Sequence, residues 1–289
     1  MGLFSRNFEK PGPGVKKDEP RKKGAARFFE LWIREFGDLV KLNIIFCICI
    51  IPSLVVFLFG FVAFYPGIIF LLALLVSLLL AFPIGGAITS CVYYITKMMR
   101  DDPSYVWYEF RRKFRENYKQ AAPVGMLCTA FVYTQIILWE SLIPNEMIDE
   151  ITGQTIIVQN DVTGSLTWLL IGLLSLVIFG MITPYIFMHF AYIDLKTFGT
   201  IRNSMLMSFA HLPRSFMGAL LGGLIWVAFA LYFPASMIAM PVIFIFGITT
   251  SMLLCLMWVW KPFDKIFKVE ETLVNRVNEE ADVEDIDKL

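Results

Sequence analysis

Long apolar blocks, separated by short polar stretches crowded with Lys, Arg and aromatic residues, set the pattern of this chain. A helix needs about 20 apolar residues to cross a hydrocarbon core of roughly 30 Å. Six blocks qualify, at 42–64, 67–96, 121–143, 165–193, 216–233 and 240–260. The last two come from one uncharged stretch, 215–260, which is too long for one span and is interrupted by Pro234 and Pro241, so a tight turn is expected there. The second and fourth exceed one span, and Pro83-Ile84-Gly85-Gly86 and Thr183-Pro184 mark expected kinks. The pattern predicts an all-α, polytopic membrane protein with six transmembrane helices.

The stretches between the blocks carry helical periodicity. Over 25–40, Ala25, Phe28, Phe29, Trp32, Ile33, Phe36, Leu39 and Val40 fall in one arc, with Arg27, Glu30, Arg34, Asp38 and Lys41 opposite, which predicts an interfacial helix leading into the first span. After Asp101-Asp102-Pro103-Ser104, a helix-start signal, Trp107, Phe110, Phe114 and Tyr118 form a stripe beside Arg111, Arg115 and Lys119. Phe198, Ile201, Met205, Phe209 and Leu212 share a side in the next loop, as do Phe263, Ile266, Phe267, Leu273, Val274 and Val277 after the sixth span. Phe36-x4-Lys41, Phe114-x4-Lys119 and Phe209-x4-Arg214 each precede an odd-numbered span. They read either as three repeated units of amphipathic helix plus hairpin or as a common interfacial anchor. The expected division is a disordered basic N-terminus (1–23), a six-helix membrane domain with its amphipathic helices (24–263), and an amphipathic segment ending in an acidic tail (264–289).

Charge sets the expected orientation. The 289 residues carry 25 Lys+Arg and 25 Asp+Glu, 17% charged in all against about 25% for a soluble domain. Ten of the basic residues precede the first span, seven lie between the second and third, three between the fourth and fifth, and five follow the sixth. That leaves none for the other side. The positive-inside rule then places both termini in the cytoplasm of a multi-pass cell-membrane protein. Glu140, Glu146, Asp149, Glu150 and Asp161 fall outside, where 144–164 is expected to form a short hairpin or irregular lid that contacts an extracellular binding protein or the outer rim of a permease. The first apolar run begins too far along for a cleavable signal. Cys47, Cys49, Cys91, Cys128 and Cys255 lie within apolar runs without a CxxC and read as small buried hydrophobes.

Catalytic motifs are missing: the sequence has no HExxH, GxSxG or Walker-type glycine loop. The chain is therefore expected to be non-enzymatic, with no cofactor, no metal and no nucleic-acid partner. Among intramembrane polar residues, Tyr185, His189 and Tyr192 share one helical face and could line a polar groove or hydrogen-bond across to Thr89, Tyr93 or Thr96. Asp194 is expected near the headgroups. The set Trp107, Phe110, Arg111, Phe114, Arg115, Tyr118 and Lys119 offers apolar anchors with charge beside them, suited either to anionic lipid or to docking a protein.

Several of these residues carry a resemblance. Ala26-Arg27-Phe28-Phe29-Glu30 with Leu39-x-Lys41-Leu42-Asn43, Lys97-Met98-Met99-Arg100-Asp101-Asp102, Trp107, Phe110, Phe114 to Gln120, and Leu212-Pro213-Arg214 resemble the YesL-like family of bacterial integral membrane proteins, over roughly 24–263. That resemblance implies no catalytic residues and a setting beside carbohydrate ABC importers. The expected role is a non-catalytic accessory or regulatory subunit of an oligosaccharide ABC importer, partnered by its permease subunits, by its ATPase and extracellular solute-binding protein, and by membrane lipids. The alternative is an independent small-solute transporter or channel, with a membrane enzyme further behind.

Overall fold

The computed structural model describes residues 22–102, 104–142, 145–148, 155–158, 162–193, 195–231, 243–273 and 275. These residues are helical apart from one short ribbon. In chain order they form α1 (Ala25–Arg34), α2 (Phe36–Phe64), α3 (Ile68–Leu80), α4 (Ile84–Met99), α5 (Val106–Ser141), α6 (Val162–Tyr192), α7 (Thr197–Ala210), α8 (Leu212–Leu231) and α9 (Ile248–Phe267), the last entered through a π-helical turn, Ile243–Gly247. Strands β1 (Asn145–Ile148) and β2 (Thr155–Val158) pair antiparallel between α5 and α6, with Asn145 opposite Val158. The expected hairpin is thus seen in its two arms.

Among the described residues, four helices are long and apolar enough to cross a membrane: α2, α5, the stretch Gly164–Tyr192 of α6, and Ile245–Phe267. A fifth is counted if α3 and α4, bent by 43° at their junction, form one broken span. The bend falls at Pro83, where the ring removes a backbone donor and crowds the preceding turn. Helix α6 runs through Pro184 as one continuous helix. The expected fifth span, 216–233, begins within α8 and runs past the described residues, which resume at 243.

Helix α4 is the centre of the bundle, buried along nearly its whole length between α5, α6, α9 and α2. Its approach to α5 is a backbone contact. A Cβ on Gly85 would overlap the Ala121 carbonyl, and one on Gly125 would overlap the backbone of Gly85. Close approach of this kind lets dispersion operate along the whole interface, the usual means of helix association in lipid. A smaller cluster at the hairpin end stacks Phe57 on Tyr133 at 3.8 Å, where Ser53 Oγ lies 2.7 Å from Tyr133 Oη and also donates to the Ser77 carbonyl.

Two boundaries depart from the sequence pattern. The interfacial helix expected over 25–40 breaks at Glu35, so Leu39 is buried in α2, not on an interfacial face. The helix expected after Ser104 is no separate element. It forms the first turns of α5, which is 36 residues and therefore about 54 Å long. The apolar set expected on one side of 198–212 is largely turned away from the bundle, with Phe198, Met205, Phe209 and Leu212 exposed. Asp194, residues 1–21 and residues 276–289, to which the disordered N-terminus and acidic tail were assigned, lie outside the described residues.

Candidate functional site

Residues 97–120 gather most of the chemistry of the basic end of the bundle. Along the first turns of α5, the inward side carries Val106, Glu109 and Phe110, each about 5% exposed, followed by half-buried Phe114 and Tyr118. The rings stack in sequence, Phe110 on Phe114 at 6.0 Å and Phe114 on Tyr118 at 6.1 Å. A Cβ on Gly86 would lie 3.0 Å from Tyr118 Cα, so the bare backbone of α4 is the floor on which this stack rests. The docking set proposed from sequence therefore divides in two. Phe110, Phe114 and Tyr118 pack into the protein, whereas Trp107, Arg111, Arg115 and Lys119 stay exposed on the outer side. Helical spacing groups residues by face but does not say which face meets the neighbouring helix.

Buried Glu109 explains why the α5 extension is held firmly. It accepts a hydrogen bond from Lys97 Nζ at 2.7 Å and forms an ion pair with Arg112 at 2.6 Å, while Arg112 donates to Tyr93 Oη at 3.0 Å. Lys113 Nζ sits 4.8 Å from the Tyr93 ring centre and pairs with Glu116 at 2.7 Å. The Arg100 guanidinium lies over the rings of Tyr192 and Trp260, at 5.6 and 5.7 Å. Outside this network, Arg111, Arg115 and Lys119 make no ion pair among the described residues. With Trp107 and Tyr108, both 63% exposed, they form an aromatic and cationic outer face.

The second sequence candidate, Tyr185, His189 and Tyr192, does share one face of α6, but each residue has separate work. The Tyr185 hydroxyl lies 3.2 Å from Ser215 Oγ, tying α6 to α8. His189 Nδ1 lies 2.7 Å from the Tyr185 carbonyl and 3.0 Å from Ser204 Oγ. A carbonyl can only accept, so that nitrogen carries the proton and Nε2 offers a lone pair. Nε2 has no hydrogen-bond partner among the described residues, and the buried ring meets Phe263 and Phe267 edge to face. Tyr192 Oη meets Thr96 Oγ1 at 2.5 Å. Helix-to-helix fastening describes all three better than a continuous groove does.

Several polar contacts escaped the sequence reading. Asp101 joins Arg27 and Arg34, each at 2.5 Å, and so clamps α1 onto the end of α4. Burial alone would push the Asp101 carboxyl up, but hydrogen bonds and charge from Arg34 and Arg27 outweigh it and hold the group below its ordinary value. Beside this clamp lies a cleft of ≈ 190 Å³ lined by Arg34, Glu35, Asp38, Tyr94, Asp101 and Asp102, among others. Asn43, a lone amide in the first apolar block, accepts from the Thr249 backbone N–H at 3.0 Å and so caps the start of α9. Its isolation in an apolar run was the available signal. Among the described residues, no group of three or more His, Cys, Asp or Glu side chains gathers to hold a metal ion.

No family model, curated protein or solved structure matches this chain.

Proposed function

We propose that the chain is a non-catalytic accessory membrane subunit that docks onto an oligosaccharide ABC importer. The docking mode rests on one observation: the outer face of the α5 extension presents Trp107, Tyr108, Arg111, Arg115 and Lys119 while its inner face is fixed by Glu109 and the stacked rings. Exposed aromatic residues on a rigid helix supply anchors with little ordering cost, and unpaired cations beside them steer an acidic partner surface. The importer as partner rests on the YesL-like sequence resemblance alone.

The arrangement goes with a topology of six spans, in which α2, the bent α3–α4 pair, α5, α6, α8 and α9 cross the membrane. The basic end then faces the cytoplasm, and the β1–β2 ribbon lies outside, within reach of a solute-binding protein. The helical segments at the basic end are the amphipathic cytoplasmic elements of this reading. Independent small-solute transport is the second reading, supported by the unpartnered His189 Nε2 inside the bundle. Copurification separates the two. A stable complex with permease and ATPase subunits supports the accessory role, whereas transport by the purified protein alone in vesicles supports the second.

A further inference from the structure

Helix α7 shows the reverse of the polarity that suits a helix lying between a protein and water. Toward the bundle, α7 turns Thr200, Ser204, Met207 and Ser208, all buried. Away from it stand Phe198 at 80% exposure, Leu206 at 61%, Phe209 at 51%, and Met205. Water outside would favour the opposite arrangement, with apolar residues on the bundle and hydroxyls outward. Lipid outside favours the one observed.

Helix α7 cannot be a span, because its 14 residues cover only about 21 Å. It is nevertheless fixed to helices that reach the membrane. Thr197 donates to the Gln120 carbonyl at 3.3 Å, Gln120 binds the Leu195 carbonyl, and Ser215 of α8 donates to the Ser208 carbonyl at 2.9 Å. Its charge is one-sided too. Lys196, Arg202 and Arg214 are exposed and make no ion pair among the described residues, and the sequence holds no Asp or Glu from 195 to 263. Arg202 lies on the outward face, one turn from both Phe198 and Leu206, where a long stem can follow the apolar surface while the guanidinium reaches upward.

We propose that α7 and the first turn of α8 form a lipid shelf, with Phe198, Leu206 and Phe209 seated among the acyl chains of the inner leaflet and Lys196, Arg202 and Arg214 holding the phosphates of anionic phospholipid. The shelf rests on the six-span topology proposed above, which puts this end at the inner leaflet, and is independent of any importer.

The test places p-benzoylphenylalanine at Phe198, at Phe209, at Asn203, and at Leu173 on the exposed side of α6 as a membrane control. The full chain is reconstituted in vesicles of equal parts phosphatidylcholine and phosphatidylglycerol, irradiated, and read by intact mass. Lipid adducts are expected at Phe198, Phe209 and Leu173 and not at Asn203, with phosphatidylglycerol enriched at the α7 positions. That enrichment should fall about fivefold for each of Arg202→Gln and Arg214→Gln. A control adduct at Leu173 with none at Phe198 or Phe209 would overturn the shelf alone, as would crosslinks from α7 to a second copy. Lipid adducts that ignore the headgroup would overturn the anionic site. Failure of the Leu173 control would overturn the membrane topology itself.

Discussion

Asp101 stands where glycine is the common choice. Its φ of 62° is left-handed, and its N–H and that of Asp102 bond back to Met98 and Lys97 to close the end of α4. Any residue with a Cβ pays about 1–2 kcal/mol for that conformation, and the gain is a carboxylate aimed at Arg27 and Arg34. Asp101→Gly should therefore leave the α4 end intact and release α1, so amide exchange should rise over Ala25–Arg34 and stay unchanged over Ile84–Met99. Acid should do the same. Because the carboxyl is held below its ordinary value, its contribution is complete above about pH 4, the unfolded range, and is lost as pH falls through the lowered folded value. Glu109 is buried with two cations, and Glu109→Ala should cost about 3 kcal/mol by leaving the largely buried Lys97 with only the half-exposed Asp102, 3.6 Å away, measured by thermal unfolding in detergent. Neither role was legible in the sequence. A carboxylate among bases in a polar loop looks solvated, and only the folding of α1 back over α4 brings residues more than 70 positions apart into contact.

The existence of the apolar helices could be read from block length alone, because a membrane span is a compositional signal that survives without any tertiary information. Their ends could not. Helix α5 absorbs the stretch expected to lie apart, since nothing from Val106 to Ala122 stops a helix and Pro123 is tolerated within it. The amphipathic stripes were legible as stripes, but period cannot distinguish a face packed on protein from one packed on lipid or a partner. Phe110 and Phe114 illustrate the difference. Phe110→Ala with Phe114→Ala should lower stability by about 3 kcal/mol or more, seen as a fall in Tm, whereas Trp107→Ala with Arg111→Ala should leave Tm unchanged. Gly125→Ala should force α4 and α5 apart, with a loss of about 1–3 kcal/mol or more in the same assay.

At the scale of the whole molecule, a tight α4–α5 core carries a clamped charged network at one end and a two-stranded ribbon at the other. Counting Lys and Arg between the apolar blocks leads to an expected cytoplasmic placement of both termini. In intact cells, an impermeant thiol reagent should label a cysteine introduced at Thr152 and spare one introduced at Lys113. The opposite pattern would reverse the topology. The docking claim depends on something sequence could not supply, namely which half of the α5 stripe remains free. Its most direct test is subunit retention on size-exclusion chromatography, after purification of the chain with the proposed importer in detergent. Trp107→Ala with Arg111→Ala and Arg115→Ala should strip permease and ATPase subunits from a chain whose own Tm is unchanged. Full retention of both subunits in that triple variant would contradict the account.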